Sequence, residues 1–243
     1  MFLHQVFDVS VTEAELSTVT ARGNTFTLTP SGSLDLGHGW GVGAEADGMR
    51  QLFTEPLDDY WELKPSVAIT KAYAGGGEFA LAYTFGGRWF DTRTPLDANG
   101  DPLPGRLEFA AHEIELRSKQ FWDAARRWRT QFRLGWLEND DNGGGYFDFT
   151  RLAAGAQVQY QAGPWTFRAD GRLRWYTYPV QRTEGPDSSL RRRTDLAALG
   201  RVEFKASRKL RLFAQYERDV SEDNTPDASY AANGLTAGVE LDL

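Results

Sequence analysis

The residues of this chain able to do chemistry are mostly arginines and carboxylates at alternating positions. In Gly163–Tyr178, GPWTFRADGRLRWYTY, Arg168, Asp170, Arg172 and Arg174 alternate with Phe167, Ala169, Gly171, Leu173 and Trp175. Alternation places all four charges on one face of an extended segment. Segments on either side repeat the pattern. They add Arg129, Arg133, Arg151, Arg201, Lys205 and Arg211 to a basic set. An acidic set comes from Glu45, Asp47, Glu62, Glu78, Glu113, Glu115, Glu240 and Asp242. If these faces enclose a space, a basic wall opposite an acidic one creates a transverse field that steers charged solutes. The same side chains can also interlock as ion pairs and fill that space. The sequence leaves both outcomes open.

Other chemistry is sparse. The histidines are His4, His38 and His112. His38 falls in a short turn and His112 on an apolar face, away from any loop carboxylate and without a serine in reach, so no acid–base or nucleophilic pair forms. Asp97, Asn99, Asp101 and Glu108 match positions 1, 3, 5 and 12 of a calcium loop, but Pro102 stands where that loop needs glycine. Asp-Asn-Gly-Asp is also ordinary turn chemistry. Cysteine is absent, which removes disulfides and thiolate metal sites. A net charge of -7 and the lack of a phosphate-cradling glycine motif argue against nucleic acid and nucleotides. The expectation is no catalysis, no metal and no cofactor.

The elements that must carry these faces are strands. Alternating segments are expected near residues 24–36, 40–47, 60–72, 78–90, 107–118, 127–138, 146–161, 165–176, 192–206, 209–218 and 229–243, with a first strand holding Phe7, Val9 and Val11. Pro30 inside one of them fits best at an edge or bulge. Lys119–Arg126 reads as a connector with one helical turn. Short turns fall near residues 37, 75, 122, 163 and 207, and longer acidic loops near 56, 98, 142, 185 and 224. Trp40, Trp128 and Trp165 follow short turns, while Trp61, Trp89, Trp136 and Trp175 lie near long loops. Ten tilted strand residues between two such tryptophans span about 25 Å, the height of the apolar band of a membrane barrel.

No apolar run approaches the roughly 20 residues of a spanning helix. A barrel needs none, because half of its strand residues face inward. Alternating loop lengths and about twelve strands describe a transmembrane antiparallel up-and-down β-barrel, one domain over residues 1–243, with both termini on the short-turn side. Met1-Phe2-Leu3-His4 lacks the basic start and apolar segment of a secretory leader, so an exported chain is expected to be a mature form, or one from which a leader and an N-terminal domain have been removed.

The chain thus resembles Gram-negative outer-membrane β-barrel proteins over nearly its whole length. The most specific stretch is Ala228–Leu243, ASYAANGLTAGVELDL, with Tyr230, Asn233 and Gly238-Val239 before the end. It is similar to the closing strand of barrels found at the C-terminus of larger envelope proteins, a family that usually ends in an aromatic residue where this chain has Leu243. The resemblance implies outer-membrane lipid as surroundings, extracellular long loops and periplasmic termini. The expected function is a porin-like passive channel or export conduit for polar or charged solutes. The alternative is a non-conducting barrel that anchors an envelope complex through protein partners.

Overall fold

The computed structural model describes residues 2–11, 19–54, 57–183, 188–225 and 228–241, with backbone alone up to residue 22. Its strands are β1 (Phe2–Val11), β2 (Val19–Leu28), β3 (Ser31–Gly37), β4 (Trp40–Thr54), β5 (Tyr60–Ala72), β6 (Glu78–Phe90) and β7 (Glu108–Phe121). They continue as β8 (Trp128–Asp141), β9 (Phe149–Ala162), β10 (Trp165–Arg182), β11 (Leu190–Lys205), β12 (Leu210–Asp223) and β13 (Tyr230–Leu241). Both β2 and β3 pair with β4, so they are two halves of one long strand interrupted at Thr29-Pro30. Proline has no amide hydrogen for the ladder, and the break falls there. Counted this way, twelve antiparallel strands follow one another in sequence order. Among the described residues no ladder joins β1 to β13, and β13 is correspondingly open, with Leu235 82% exposed.

Register shows the stagger of a barrel. Paired residues run Trp40–Lys71–Phe79–Ser118–Phe132–Ala156–Gly171–Ala198–Arg218 from β4 to β12. Trp40 opens β4, whereas Arg218 lies well inside β12. The ladder therefore climbs about one residue per strand, which tilts the strands as a closed cylinder requires. It also lifts the outward-facing Arg218 to the level of Trp136 on β8, where a long cationic side chain can snorkel to the interface.

Several strands extend further toward the loops than the sequence suggests, to Asp141 in β8, Arg182 in β10 and Asp223 in β12, whereas β9 begins later, at Phe149 rather than near residue 146. Lys119–Arg126 holds no helical turn: β7 continues to Phe121, and Asp123 organises a tight turn by accepting the Trp128 amide on one oxygen and the Arg127 guanidinium on the other. Tight hairpins close the same end, with left-handed backbone at Gly37, His38 and Gly39, and at Gly163. A Cβ on Gly39 would stand 2.5 Å from the Ala72 carbonyl oxygen, so its glycine serves both the turn and the close approach.

One face of the sheet carries Trp165, Phe167, Leu196, Val202, Leu212, Leu134, Leu81 and Ile69, all exposed. Large apolar side chains left open over a whole face mark contact with lipid. The opposite, inward face carries the ion pairs. Its most enclosed part lies at the loop end, around Phe90, Tyr176, Tyr178 and the fully buried Leu107.

Candidate functional site

The register places Arg129, Arg133, Arg151, Arg168, Arg172, Arg174, Arg201, Lys205 and Arg211 on the inward face of β8 to β12. Glu45, Asp47, Glu62, Glu78, Glu113, Glu115 and Glu240 take the same face of β4 to β7 and β13. Asp242 and Leu243 lie outside the described residues, as do the side chains of Phe7, Val9 and Val11. Many of the acids are bound to neighbours rather than standing as a bare wall. Glu113 sits beside the basic strands and accepts from Arg151 at 2.7 Å. Glu240 takes Arg201 at 2.5 Å and Arg211 at 3.6 Å. Glu115 pairs with Arg117, and Glu78 approaches Lys119 at 3.6 Å.

The wall formed by β8, β9 and β10 is different. Asp170 is shared by Arg168 at 3.4 Å and Arg172 at 3.5 Å. Arg133 and Arg174 have no ion-pair partner among the described residues. Gly135, Ala153 and Gly155 supply little side chain here, and a cavity of about 220 Å³ opens among Arg133, Arg151, Arg172 and Arg174, with the ion-paired Glu113 and Glu115 on one side. Half a circuit away in a twelve-strand barrel, β4 presents Glu45 and Asp47, which likewise lack an ion-pair partner among the described residues.

At the loop end the inward face becomes aromatic. Phe53, Tyr60, Phe90, Phe109 and Phe147 touch in series, with ring centroids 6.3, 5.4, 5.9 and 5.9 Å apart. Phe149 meets Tyr176 at 5.7 Å and Tyr178 at 6.0 Å. Guanidinium groups cover several of these rings: Arg88 over Tyr60 at 4.8 Å, Arg93 over Phe147 at 5.0 Å and Arg193 over Tyr176 at 4.2 Å. Such cation–π contacts strengthen when shielded from water. The seven tryptophans singled out from sequence all face outward, so the inner layer is a separate aromatic set. Its signal was present in Trp89-Phe90 and Trp175-Tyr176, where adjacent aromatics in a strand must point to opposite faces.

The loops are tied down over this layer. The Gly144 amide donates to the Leu96 carbonyl, and Asn142 bonds Glu108 and Arg106. The Asp141 carboxylate accepts the amides of Gly143, Gly145 and Phe147. Burial pushes the Asp148 carboxyl above its usual range, and the charges of Asp141, Asp140 and Glu138 add to this. Asp97 turns its carboxylate onto the amides of Asp101 and Asn99, which hold it below the usual range. Among the described residues no cluster of three metal-ligating side chains occurs. His112 faces outward, its Nδ1 2.7 Å from the Tyr83 hydroxyl.

No protein-family model matches this chain, nor does any curated protein. Among solved structures it is similar to the loop L8 deletion mutant of OmpT, an outer membrane protein of Vibrio cholerae, with TM-score 0.50 and 8% identity over 99% of this chain and 96% of that one. In vitro folded OmpT gives TM-score 0.46 and 8% identity over 99% and 95% of the two chains. The beta domain of the Bordetella autotransporter BrkA gives 0.42 and 13% over 99% and 95%. Identities this low speak to architecture alone. Twelve sequential antiparallel strands, their barrel stagger and an exposed apolar face, with the likeness to the OmpT loop-deletion mutant beside them, give the fold: this chain is a transmembrane β-barrel of the outer-membrane type.

Proposed function

We infer that the protein is a passive outer-membrane channel for small polar solutes, with anions favoured. The observation that carries this is the pair Arg133 and Arg174, which stand on the inner wall without ion-pair partners among the described residues and border the 220 Å³ cavity. Fixed cations at a lumen wall raise the local concentration of anions and lower their entry barrier. In this reading the apolar belt sits in the outer membrane with the long loops extracellular and the termini periplasmic. The barrel's function is transport rather than catalysis.

The test is conductance of the refolded protein in a planar bilayer under a salt gradient. Stable current steps with an anion-preferring reversal potential are expected, and reversing Arg172 and Arg174 to Glu shifts that potential toward cations. A folded protein that carries no current excludes the channel. A second reading would then apply, in which the barrel anchors an envelope complex. The loop-end layer favours it, since Phe90, Tyr176, Tyr178 and Leu107 are all buried where a solute would enter.

A further inference from the structure

Below the aromatic layer, a cavity of about 240 Å³ opens on the inner wall between β5 and β9. It is smaller than the roughly 300–1,000 Å³ of sites that take drug-sized ligands, so its occupant is small. One side is apolar, formed by Phe109, Leu137 and Phe149. The other is charged. Glu62, only 8% exposed, takes Lys64 Nζ at 2.6 Å on one oxygen and Arg88 Nε at 2.9 Å and Nη2 at 2.5 Å on the other. One carboxylate therefore serves two cations, so the charged groups lining this cavity sum to +1; Asp47, opposite Lys64 in the β4–β5 register, lies outside the lining. The Nη1 group of Arg88 has no hydrogen bond among the described residues. The floor is kept low by small residues: a Cβ on Gly86 would stand 3.3 Å from the Ala111 Cβ.

We propose that this cavity binds a small monocarboxylate with an apolar body, of the aryl- or branched alkyl-acetate kind. Its carboxylate lies against Lys64 and Arg88, and its hydrocarbon part lies on Phe109, Leu137 and Phe149. A single negative charge completes the pairing that Glu62 leaves short, at two cations that remain partly exposed on the cavity wall. The apolar wall rejects strongly hydrated anions, because they would lose water without gaining partners. The site rests on the channel reading only for the route by which the solute arrives.

Binding is therefore measured apart from current, by equilibrium dialysis of phenylacetate and acetate against the full chain folded in detergent. Saturable binding of phenylacetate is expected, with acetate weaker by about tenfold or more from the lost apolar contact. Lys64→Gln weakens phenylacetate about tenfold by removing a charge-assisted bond. Ala111→Leu fills the floor while leaving every charge in place, and it should weaken phenylacetate more than acetate. Cold gel electrophoresis verifies that each variant is folded. A folded wild-type chain that fails to bind phenylacetate saturably, or variants that bind it unchanged, overturns the site. Current without saturable binding removes the site and leaves the channel; saturable binding in a chain that carries no current keeps the site and removes the channel.

Discussion

Asp148 is an acid whose surroundings oppose its charge. Burial is the main cause, and Asp141, Asp140 and Glu138 add like charge. Its Oδ1 nevertheless accepts the Asp141 amide at 2.5 Å, so the side chain is held in place. A carboxyl whose pKa is raised by folding contributes stability that is complete below its unfolded pKa and is lost as pH rises through the folded value. The 142–148 loop should therefore be tighter below the carboxylate titration range than above it. Asp148→Asn keeps an acceptor for Asp141 and removes the charge. Hydrogen-exchange protection of the Asp141 amide is expected to fall as pH rises through that range in the parent and to stay level in the variant. Parent protection that is flat across that range would refute the account.

At the scale of elements, the loop end is fastened by close backbone approach as well as by side chains. A Cβ on Gly144 would lie 2.5 Å from the Ala98 nitrogen and 2.7 Å from the Asp97 backbone. A Cβ on Gly143 would lie 2.5 Å from the Leu96 carbonyl oxygen. Backbone atoms cannot move aside as a flexible side chain can, so Gly144→Val should lift the 91–107 segment while the ladders below persist. Limited proteolysis is expected to cut that segment much faster in the variant, with barrel migration on cold gels unchanged; equal cleavage rates would show that the clamp is unimportant. How the two kinds of element read in the sequence follows from the same physics. Strands such as β5, β6 and β10 were legible because lipid and lumen demand opposite chemistry at alternate residues. Pro30 marked an irregularity within the 24–36 segment, but alternation read that segment as one strand, and the break at Thr29-Pro30 was not legible. Nor was the clamp, because Gly143-Gly144-Gly145 spells a loop without saying which backbone it must approach. The inner aromatic layer was only partly legible: Trp89-Phe90 and Trp175-Tyr176 signal it by adjacency, whereas Phe109 and Phe149 face inward near the loops, where the two-face rule set by lipid no longer holds. Ion pairing was only partly legible, since alternation put Glu113 and Arg151 on one face but the register was needed to bring them to 2.7 Å.

The whole molecule is a solvent partition, and this distinguishes it from a soluble sandwich of similar strands. Ala169 and Gln157 sit on adjacent strands one register step apart, since Ala169 pairs with Val158 and Asp170 with Gln157. Ala169 lies on the outward face between Trp165 and Trp175, while Gln157 faces inward and donates to Asp170 at 2.9 Å. In a soluble protein whose apolar face covers a core and whose polar face meets water, the two positions would also differ, but a vesicle would not matter. In a transmembrane barrel, an arginine at the midplane of the lipid face costs about 2–4 kcal/mol, falling to about 0–1 near the interfaces. The inward position keeps Asp170 within reach of a cation and carries no such penalty. Ala169→Arg is therefore expected to lose about 2–4 kcal/mol of folding stability in a denaturant titration from lipid vesicles, and Gln157→Arg less than about 1. The Ala169→Arg penalty should also rise in vesicles of longer-chain lipid, because the guanidinium then has further to reach to the interface. Equal costs at the two positions, or a cost at Ala169 indifferent to bilayer thickness, would mean that the exposed belt of Trp165, Phe167 and Leu196 does not face hydrocarbon.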